Sequence, residues 1–84
     1  MENLETIKSK SHEIVLNIMP NIDQNQLLDD TDIFALGLDS LNAIRLITNL
    51  QSTFQVSFTT SEINFDNFRT ISNIAEIVAK KQPK

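Results

Sequence analysis

The sequence predicts an all-α domain, a four-helix bundle with three main helices, a short third helix and a long loop between helices one and two. Apolar residues recur at helical spacing in three segments of the 84-residue chain. Only one glycine and two prolines are available to interrupt them. Hydrophobic residues make up 40% of the sequence, which is enough for a packed core. At this length we expect a single domain spanning residues 1–84.

The first predicted helix covers residues 2–18, and Ser11 interrupts its apolar face, which consists of Leu4, Ile7, Ile14, Val15 and Ile18. Pro20 ends this helix, because proline disfavours the helical conformation of the residue before it. Residues 20–39 then form a loop, and a loop of this length in a compact domain is usually functional. We expect its apolar residues to pack onto the bundle: Ile22, Leu27, Leu28, Ile33, Phe34 and Leu36.

The second predicted helix runs from Ser40 to Phe54 and has two distinct faces. Its core stripe consists of Ala43, Leu46, Ile47, Leu50 and Phe54. At ~100° per residue, the opposite face is solvent-facing. This outer face carries Leu41, Arg45, Thr48 and Ser52, with Ile44 at its edge.

The rest of the chain predicts one short and one longer helix after an extended link at residues 56–58. Thr59 and Glu62 have the spacing of a capping box, which predicts one helical turn at about residues 60–65. Thr70 is predicted to cap a last helix over residues 71–81, with Ile71, Ile74, Ala75, Ile77 and Val78 in the core. The phenylalanines are all expected core residues: Phe34, Phe54, Phe58, Phe65 and Phe68.

The charge distribution excludes some function classes. The net charge is −4, and the loop between helices one and two contains no lysine or arginine but carries Asp23, Asp29, Asp30, Asp32 and Asp39. An acidic surface repels phosphate backbones, so we expect no nucleic-acid partner. Basic protein partners fit it, and a merely solvated loop is the alternative. No apolar stretch approaches the ~20 residues of a membrane span, and the N-terminus lacks the features of a signal peptide. We therefore expect a cytoplasmic protein without membrane contact.

No catalytic or metal site is expected. The chain has no cysteine, which excludes disulfides and thiolate ligands. The aspartates of the loop lack the glycine and terminal glutamate of a calcium-binding loop. His12, the single histidine, is expected to be solvated, and Ser40 has no base partner in the sequence. We expect a protein that is not an enzyme.

Ser40 carries the clearest chemical signal, in the run Leu36-Gly37-Leu38-Asp39-Ser40-Leu41. Because it opens a helix after a long loop, its hydroxyl can be exposed, and a helix N-terminus stabilises an attached phosphodiester anion. Gly37 lets the backbone turn sharply and keeps bulk away from the serine. The alternative is that Asp39 or Ser40 only caps the helix. An exposed Leu41 with Ile44 one turn further on would form a small apolar patch, which favours a docking site over a cap alone.

The run Asp32-Ile33-Phe34-Ala35-Leu36-Gly37-Leu38-Asp39-Ser40-Leu41, with Ala43-Ile44-Arg45-Leu46 and Phe54-Gln55-Val56 after it, resembles the phosphopantetheine carrier proteins. These are the acyl and peptidyl carriers of fatty-acid, polyketide and nonribosomal peptide synthesis. The resemblance extends from helix one to Val78 and implies an acyl-carrier-protein-like bundle. It implies that Ser40 bears covalent 4′-phosphopantetheine derived from coenzyme A. It also implies that Asp39 and Leu41 help a phosphopantetheinyl transferase to recognise Ser40. Ile44, Arg45 and Thr48 are then expected to face partner enzymes.

The type of carrier is less sharply indicated. Fatty-acid carriers crowd acidic residues along helix two, whereas this chain has none there and has Arg45 instead. Asp39 is usual in acyl carriers, while many peptidyl carriers have histidine. The run from Phe65 to Ile71 resembles discrete aminoacyl and D-alanyl carriers. We expect a monomeric peptidyl or aminoacyl carrier of a nonribosomal peptide or polyketide pathway. Its partners would be adenylation, acyltransferase, condensation or ketosynthase, and thioesterase enzymes. The alternatives are a fatty-acid-type or D-alanyl carrier and, in another class, a non-covalent helical interaction module.

Overall fold

The computed structural model describes residues 3–82, and every regular element in that range is helical. The bundle consists of α1 (Leu4–Ile18), α2 (Ser40–Phe54) and α3 (Ile71–Lys81), with short 3₁₀ turns at Gln24–Gln26 and Asp66–Phe68. The predicted fold class is confirmed, and so are the predicted bounds of α2 and α3. Residue 2, the predicted start of the first helix, lies outside the described residues.

Each of the three α-helices begins at a polar side chain that satisfies a free backbone N–H group. Asn3, Asp39 and Thr70 each accept a hydrogen bond from the N–H three residues further on, at 2.8 to 3.0 Å. These side chains replace intrahelical acceptors that the first turn of a helix lacks. The helix starts are therefore set by local sequence.

The core forms where the apolar faces of the three helices meet. All five predicted core residues of α3 are buried, together with Leu46, Leu50 and Phe54 of α2 and Ile7 and Val15 of α1. Ala43 and Ile47 of α2 are partly buried and pack against the same cluster. The predicted core stripes of α2 and α3 are therefore confirmed.

The loop between α1 and α2 contributes to this core. Leu27, Ile33 and Leu38 are 2%, 0% and 7% exposed. The Ile33 N–H donates to the Arg69 carbonyl at 2.8 Å, which joins the loop to the segment before α3. Buried apolar side chains and a backbone hydrogen bond thus give an irregular segment a defined position.

Leu28, which we expected to pack onto the bundle, is instead 66% exposed. It stands at the corner of a turn: its carbonyl accepts from the Thr31 N–H at 3.1 Å. Its own N–H donates to Thr31 Oγ1 at 3.0 Å. The turn directs the leucine outward while Leu27 points into the core, a choice that composition alone does not predict.

The short helix predicted at residues 60–65 is wrong in position. The capping box itself forms, since Thr59 N–H donates to Glu62 Oε1 at 2.8 Å and Glu62 N–H donates to Thr59 Oγ1 at 3.3 Å. One backbone turn follows, in which the Thr59 carbonyl accepts from the N–H groups of Glu62 and Ile63, but no helix forms, and side chains bind the next carbonyl groups. Asn64 binds the Ser61 carbonyl and Asn67 binds the Glu62 carbonyl. The helical turn occurs later, at Asp66–Phe68.

Two other expectations are corrected by tertiary contacts. Phe65, an expected core residue, is 49% exposed and packs on Phe34 with the ring centroids 4.4 Å apart. His12, expected to be solvated, is half-buried, and its Nε2 lies 2.8 Å from the Leu27 carbonyl oxygen. Because a carbonyl only accepts, Nε2 carries the proton of this hydrogen bond. His12 therefore anchors the loop to α1.

Ser11 is fully buried on α1, and its hydroxyl has no hydrogen-bond partner. A buried polar group without a partner costs about 1–3 kcal/mol. We predict that Ser11→Ala raises the free energy of unfolding by about 1 kcal/mol more than Ser9→Ala does. Ser9 is exposed on the same helix, so its replacement changes helix propensity alone. Urea denaturation of both variants measures the difference, and a Ser11→Ala variant less stable than Ser9→Ala would contradict it.

Candidate functional site

Ser40 is the first residue of α2 and is exposed. Asp39 caps the helix through its carboxylate, which accepts from the Asn42 N–H at 2.8 Å. Of the two residues named as possible caps, Asp39 is therefore the one that caps α2. Ser40 Oγ makes no hydrogen bond within residues 3–82, which leaves the hydroxyl available to another molecule.

Successive tight turns at residues 32–37 lead the chain into α2. Ala35, Leu36 and Gly37 each donate their N–H to the carbonyl three residues back, at 3.0 to 3.1 Å. Gly37 ends the turn with φ of +111°, a conformation that residues with a side chain rarely adopt. A Cβ added there would meet no atom within 4 Å. Backbone conformation therefore requires this glycine, and its expected role in keeping bulk away from the serine stays a prediction.

Asp32, the first residue of these turns, stabilises them through its carboxylate. Its Oδ1 accepts from the N–H groups of Phe34 and Ala35, and its Oδ2 accepts from Arg69 Nε at 3.1 Å. Partial desolvation by itself raises the pKa of the Asp32 carboxyl. The hydrogen bonds from Arg69 and the two N–H groups outweigh that effect, so the pKa lies below its usual value. The carboxylate is thus ionised at neutral pH.

The other loop aspartates also have local partners. Asp29 pairs with Lys8 of α1 at 3.3 Å, and Asp30 accepts from Ser72 Oγ of α3 at 3.1 Å. Asp23 caps the first 3₁₀ turn by accepting from the Asn25 N–H at 2.9 Å. With Asp32 and Asp39, every carboxylate of the loop makes a hydrogen bond or ion pair. Asp23, Asp29, Asp30 and Asp39 are nevertheless exposed, so both the solvated loop and the basic protein partners stay predictions.

The predicted outer face of α2 is exposed beside Ser40. Leu41 and Ile44 are 62% and 61% exposed, and Arg45 and Thr48 lie on the same surface. A groove of about 440 Å³ runs between this face and the end of α1, lined by Asn17, Ile18, Ile44, Arg45, Thr48 and Asn49. The guanidinium of Arg45 has no hydrogen bond or ion pair within residues 3–82. The structure therefore brings the predicted recognition residues together on one surface.

An apolar cleft on another face of α2 was missed by sequence reasoning. It has a volume of about 240 Å³ and is lined by Phe34, Ala43, Ile47, Ile63, Asn64, Phe65 and Phe68. Ala43 and Ile47 follow Ser40 on one helical face, so the cleft begins close to the serine. The small side chain of Ala43 was the available signal, because it leaves space in an otherwise bulky stripe.

Two other kinds of site are absent from the part of the chain that the structure describes. Residues 3–82 contain no group of three or more histidine or carboxylate side chains placed to hold a metal ion. None of the helices in this range has the length and apolarity to cross a membrane.

A family model described as the phosphopantetheine attachment site matches residues 15–78, which include the turns, Ser40 and most of α3. The chain belongs to the phosphopantetheine carrier protein family. Members of this family bear covalent 4′-phosphopantetheine and are not themselves enzymes. The cofactor predicted for this carrier, and the prediction that it is not an enzyme, are thereby confirmed.

The curated proteins that this chain resembles are named as carrier proteins. The acyl carrier protein of Onion yellows phytoplasma is 38% identical over 48 residues, which are 57% of this chain and 60% of that protein. The chain therefore spans less than two thirds of that relative. The D-alanyl carrier protein of Streptococcus pyogenes serotype M5 is 36% identical over 61 residues, which are 71% of this carrier and 76% of the relative.

A solved structure confirms the fold. The match is a chain in the crystal structure of an engineered Bradyrhizobium japonicum glycine:[carrier protein] ligase complexed with carrier protein from Agrobacterium tumefaciens and AMP. It has a TM-score of 0.76 at 23% identity and covers 87% of this carrier and 97% of that chain. The acyl-carrier-protein-like architecture expected from the sequence is confirmed.

The contribution of the Asp39 cap to stability can be measured with two substitutions. Asp39→Ala removes the acceptor for the Asn42 N–H, and we predict that it lowers the free energy of unfolding by about 1 kcal/mol. Asp39→Asn keeps an acceptor at the same place and should stay close to wild type, because asparagine caps about as well as aspartate. Equal losses in both variants, measured by urea denaturation, would show that the carboxylate acts through charge and not as a cap.

Proposed function

We propose that Ser40 is the residue that bears 4′-phosphopantetheine and that the carrier holds aminoacyl or acyl groups as thioesters on that arm. The observation that carries this proposal is the exposed Ser40 hydroxyl, without a protein partner, at the first residue of α2 in a member of this family. A single carrier domain, a monomeric state and a cytoplasmic location stay predictions.

In the loading reaction, Ser40 Oγ forms a bond to the β-phosphorus of coenzyme A. The pyrophosphate bond breaks, adenosine 3′,5′-bisphosphate leaves, and the hydroxyl proton passes to a base of the phosphopantetheinyl transferase. The carrier contributes an accessible nucleophile and the N-terminus of α2, whose partial positive charge stabilises the phosphodiester. The arm, when attached, supplies the thiol for cargo, and the chain has no cysteine of its own.

The residues around Ser40 fit an arm of this kind. The serine side chain is open to solvent, and the preceding Gly37 places no side chain in the space beside the turn. The apolar cleft that begins at Ala43 could shelter apolar parts of the arm or cargo on the same face of α2. The charged phosphodiester would remain at the helix N-terminus, where it is favoured.

An aminoacyl cargo is supported best. Two comparisons involve amino acids: a relative named D-alanyl carrier protein, and a fold neighbour in complex with a glycine:[carrier protein] ligase. Within α2, Arg45 is the sole charged residue, in contrast to the acidic helix expected of fatty-acid carriers. We place the carrier in a nonribosomal peptide or polyketide pathway, with D-alanyl and fatty-acyl transfer as the competing roles. Loading by an adenylation enzyme with an amino acid would favour an aminoacyl or peptidyl carrier, whereas loading by an acyltransferase with malonyl-coenzyme A would favour an acyl carrier.

Partner enzymes would dock on the outer face of α2. Leu41 and Ile44 provide exposed apolar area, and Arg45 and Thr48 provide a charge and a hydroxyl beside it. The transferase must approach Ser40 next to Asp39 and Leu41. Adenylation, acyltransferase, condensation or ketosynthase, and thioesterase enzymes must each reach the arm from the same end of the bundle, so we expect them to share this face.

Intact-mass measurement tests the attachment site. Wild-type carrier incubated with coenzyme A, Mg²⁺ and a promiscuous phosphopantetheinyl transferase should gain the mass of one phosphopantetheine. Ser40→Ala should gain nothing while keeping its far-UV circular dichroism, because Ser40 is exposed and its hydroxyl binds nothing in the fold. A Ser40→Ala variant that still gains the arm would exclude Ser40. A folded wild type that gains none would favour the non-covalent interaction module.

Charge reversal tests the docking face. We predict that Arg45→Glu slows a subset of the partner reactions, while the free energy of unfolding stays within about 0.5 kcal/mol of wild type, as for other surface substitutions. Lys80→Glu, the same charge change at an exposed position of α3, is the control and should leave the partner reactions unaffected. Equal slowing in both variants would show that net charge, and not this face, matters. A large drop in melting temperature would show that Arg45 supports the fold.

A further inference from the structure

We propose that Arg69 is a positioning residue for the modification of Ser40, acting through Asp32 on the turns that lead into α2. This inference rests on the proposed attachment at Ser40 and adds a residue outside α2 to the reaction. The contact set that carries it, which we name the clasp, consists of Arg69, Asp32, Phe65 and Phe34.

Arg69 makes three different contacts with its surroundings. Its Nε donates to Asp32 Oδ2 at 3.1 Å, and its guanidinium carbon lies 4.9 Å from the centroid of the Phe65 ring. Its backbone carbonyl accepts from the Ile33 N–H at 2.8 Å. Phe65 in turn packs on Phe34, with 4.4 Å between the ring centroids. The segment before α3 thereby holds the loop before α2 through both backbone and side chains.

Asp32 transmits this contact to the turns at residues 32–37. While Oδ2 binds Arg69, Oδ1 accepts from the N–H groups of Phe34 at 3.0 Å and Ala35 at 3.2 Å. The position of the carboxylate therefore fixes the start of the turns. Their end is fixed by Gly37 and by Leu38, whose side chain is buried and which precedes the cap of α2. Ser40 follows directly, so a shift of the turns moves the approach to its hydroxyl.

The clasp should affect the reaction more than the stability of the fold. The side chains of Arg69 and Asp32 are 48% and 33% exposed, and ion pairs at such positions contribute about 0–1 kcal/mol. Loading of Ser40, in contrast, needs the serine and the turns to meet the transferase in one geometry. A misplacement of ~1 Å in such a reaction costs up to about a hundredfold in rate.

The chemistry of the contact requires arginine rather than any cation. A planar guanidinium can donate Nε–H to a carboxylate and stack over an aromatic ring at the same time. A lysine ammonium retains the charge, but it has no planar face for Phe65 and no donor in a fixed fork. Arg69→Lys should therefore restore little of what Arg69→Gln loses.

The chain contains a matched control for the clasp. Lys81 Nζ lies 2.9 Å from Glu62 Oε1, and the two side chains are 26% and 28% exposed. This ion pair joins the end of α3 to the turn that contains Glu62, and it makes no contact with residues 32–37. Lys81→Gln thus removes a comparable surface ion pair without touching the approach to Ser40.

The test is the steady-state rate of phosphopantetheine loading with coenzyme A, Mg²⁺ and a promiscuous transferase. Arg69→Gln and Asp32→Asn should each lower kcat/KM about tenfold, mainly through kcat, because the outer face of α2 remains intact for binding. Asp32→Asn keeps Oδ1 as the cap of the turns, so it tests the link to Arg69 without removing the cap. The double variant should lose little more than either single variant, since both act through one contact. Lys81→Gln should load like wild type.

Three results would overturn the proposal. They are wild-type loading by Arg69→Gln, an equal loss in Lys81→Gln, and losses in Arg69→Gln and Asp32→Asn that multiply in the double variant. Circular dichroism identifies any variant that fails to fold, and Arg69→Lys then takes the place of Arg69→Gln. Failure of the carrier function is distinguishable, because in that case wild-type protein does not load or Ser40→Ala does.

Discussion

The burial of Ile33 and Leu38 ties the loop between α1 and α2 into the core, and the placement of Ser40 depends on it. Ile33 and Leu38 are 0% and 7% exposed, although neither lies in a helix. The Ile33 N–H is bound by the Arg69 carbonyl, and the Leu38 N–H lies 3.4 Å from the Ile33 carbonyl oxygen. A segment without regular structure therefore has a position as definite as that of the helices, and it delivers the first residue of α2 to a fixed place.

The start of α2 assigns different tasks to neighbouring residues. Gly37 supplies a backbone conformation with positive φ, Leu38 anchors the chain in the core, and Asp39 caps the helix. Ser40 is left without a structural task, and Leu41 is exposed beside it. A nucleophile that the fold does not need can accept a large covalent group with little effect on stability. This separation of tasks is the physical basis for proposing Ser40 as the attachment residue.

The helices and their caps could be predicted from the sequence because both depend on nearby residues. The periodicity of α3 and the cap at Thr70 are examples, and the run ending in Leu41 was enough to indicate the carrier family. The errors at Leu28 and at residues 60–65 arise in local turns, whereas others involve contacts between distant segments. Phe65 is held at the surface by Phe34 and Arg69, and His12 binds the Leu27 carbonyl. The pairing of Asp32 with Arg69 joins residues far apart in sequence, so no local pattern indicates it.

Backbone amide hydrogen exchange, followed residue by residue, tests most directly whether the loop presents Ser40 from a preformed position. We expect the N–H groups of Ile33 and Leu38 to exchange with free energies of opening close to those of buried helical residues such as Val78, because the same core holds them. If these two amides exchange like those of an unstructured peptide while α3 remains protected, the loop is not part of the folded core. In that case the account of how the fold positions Ser40 is wrong.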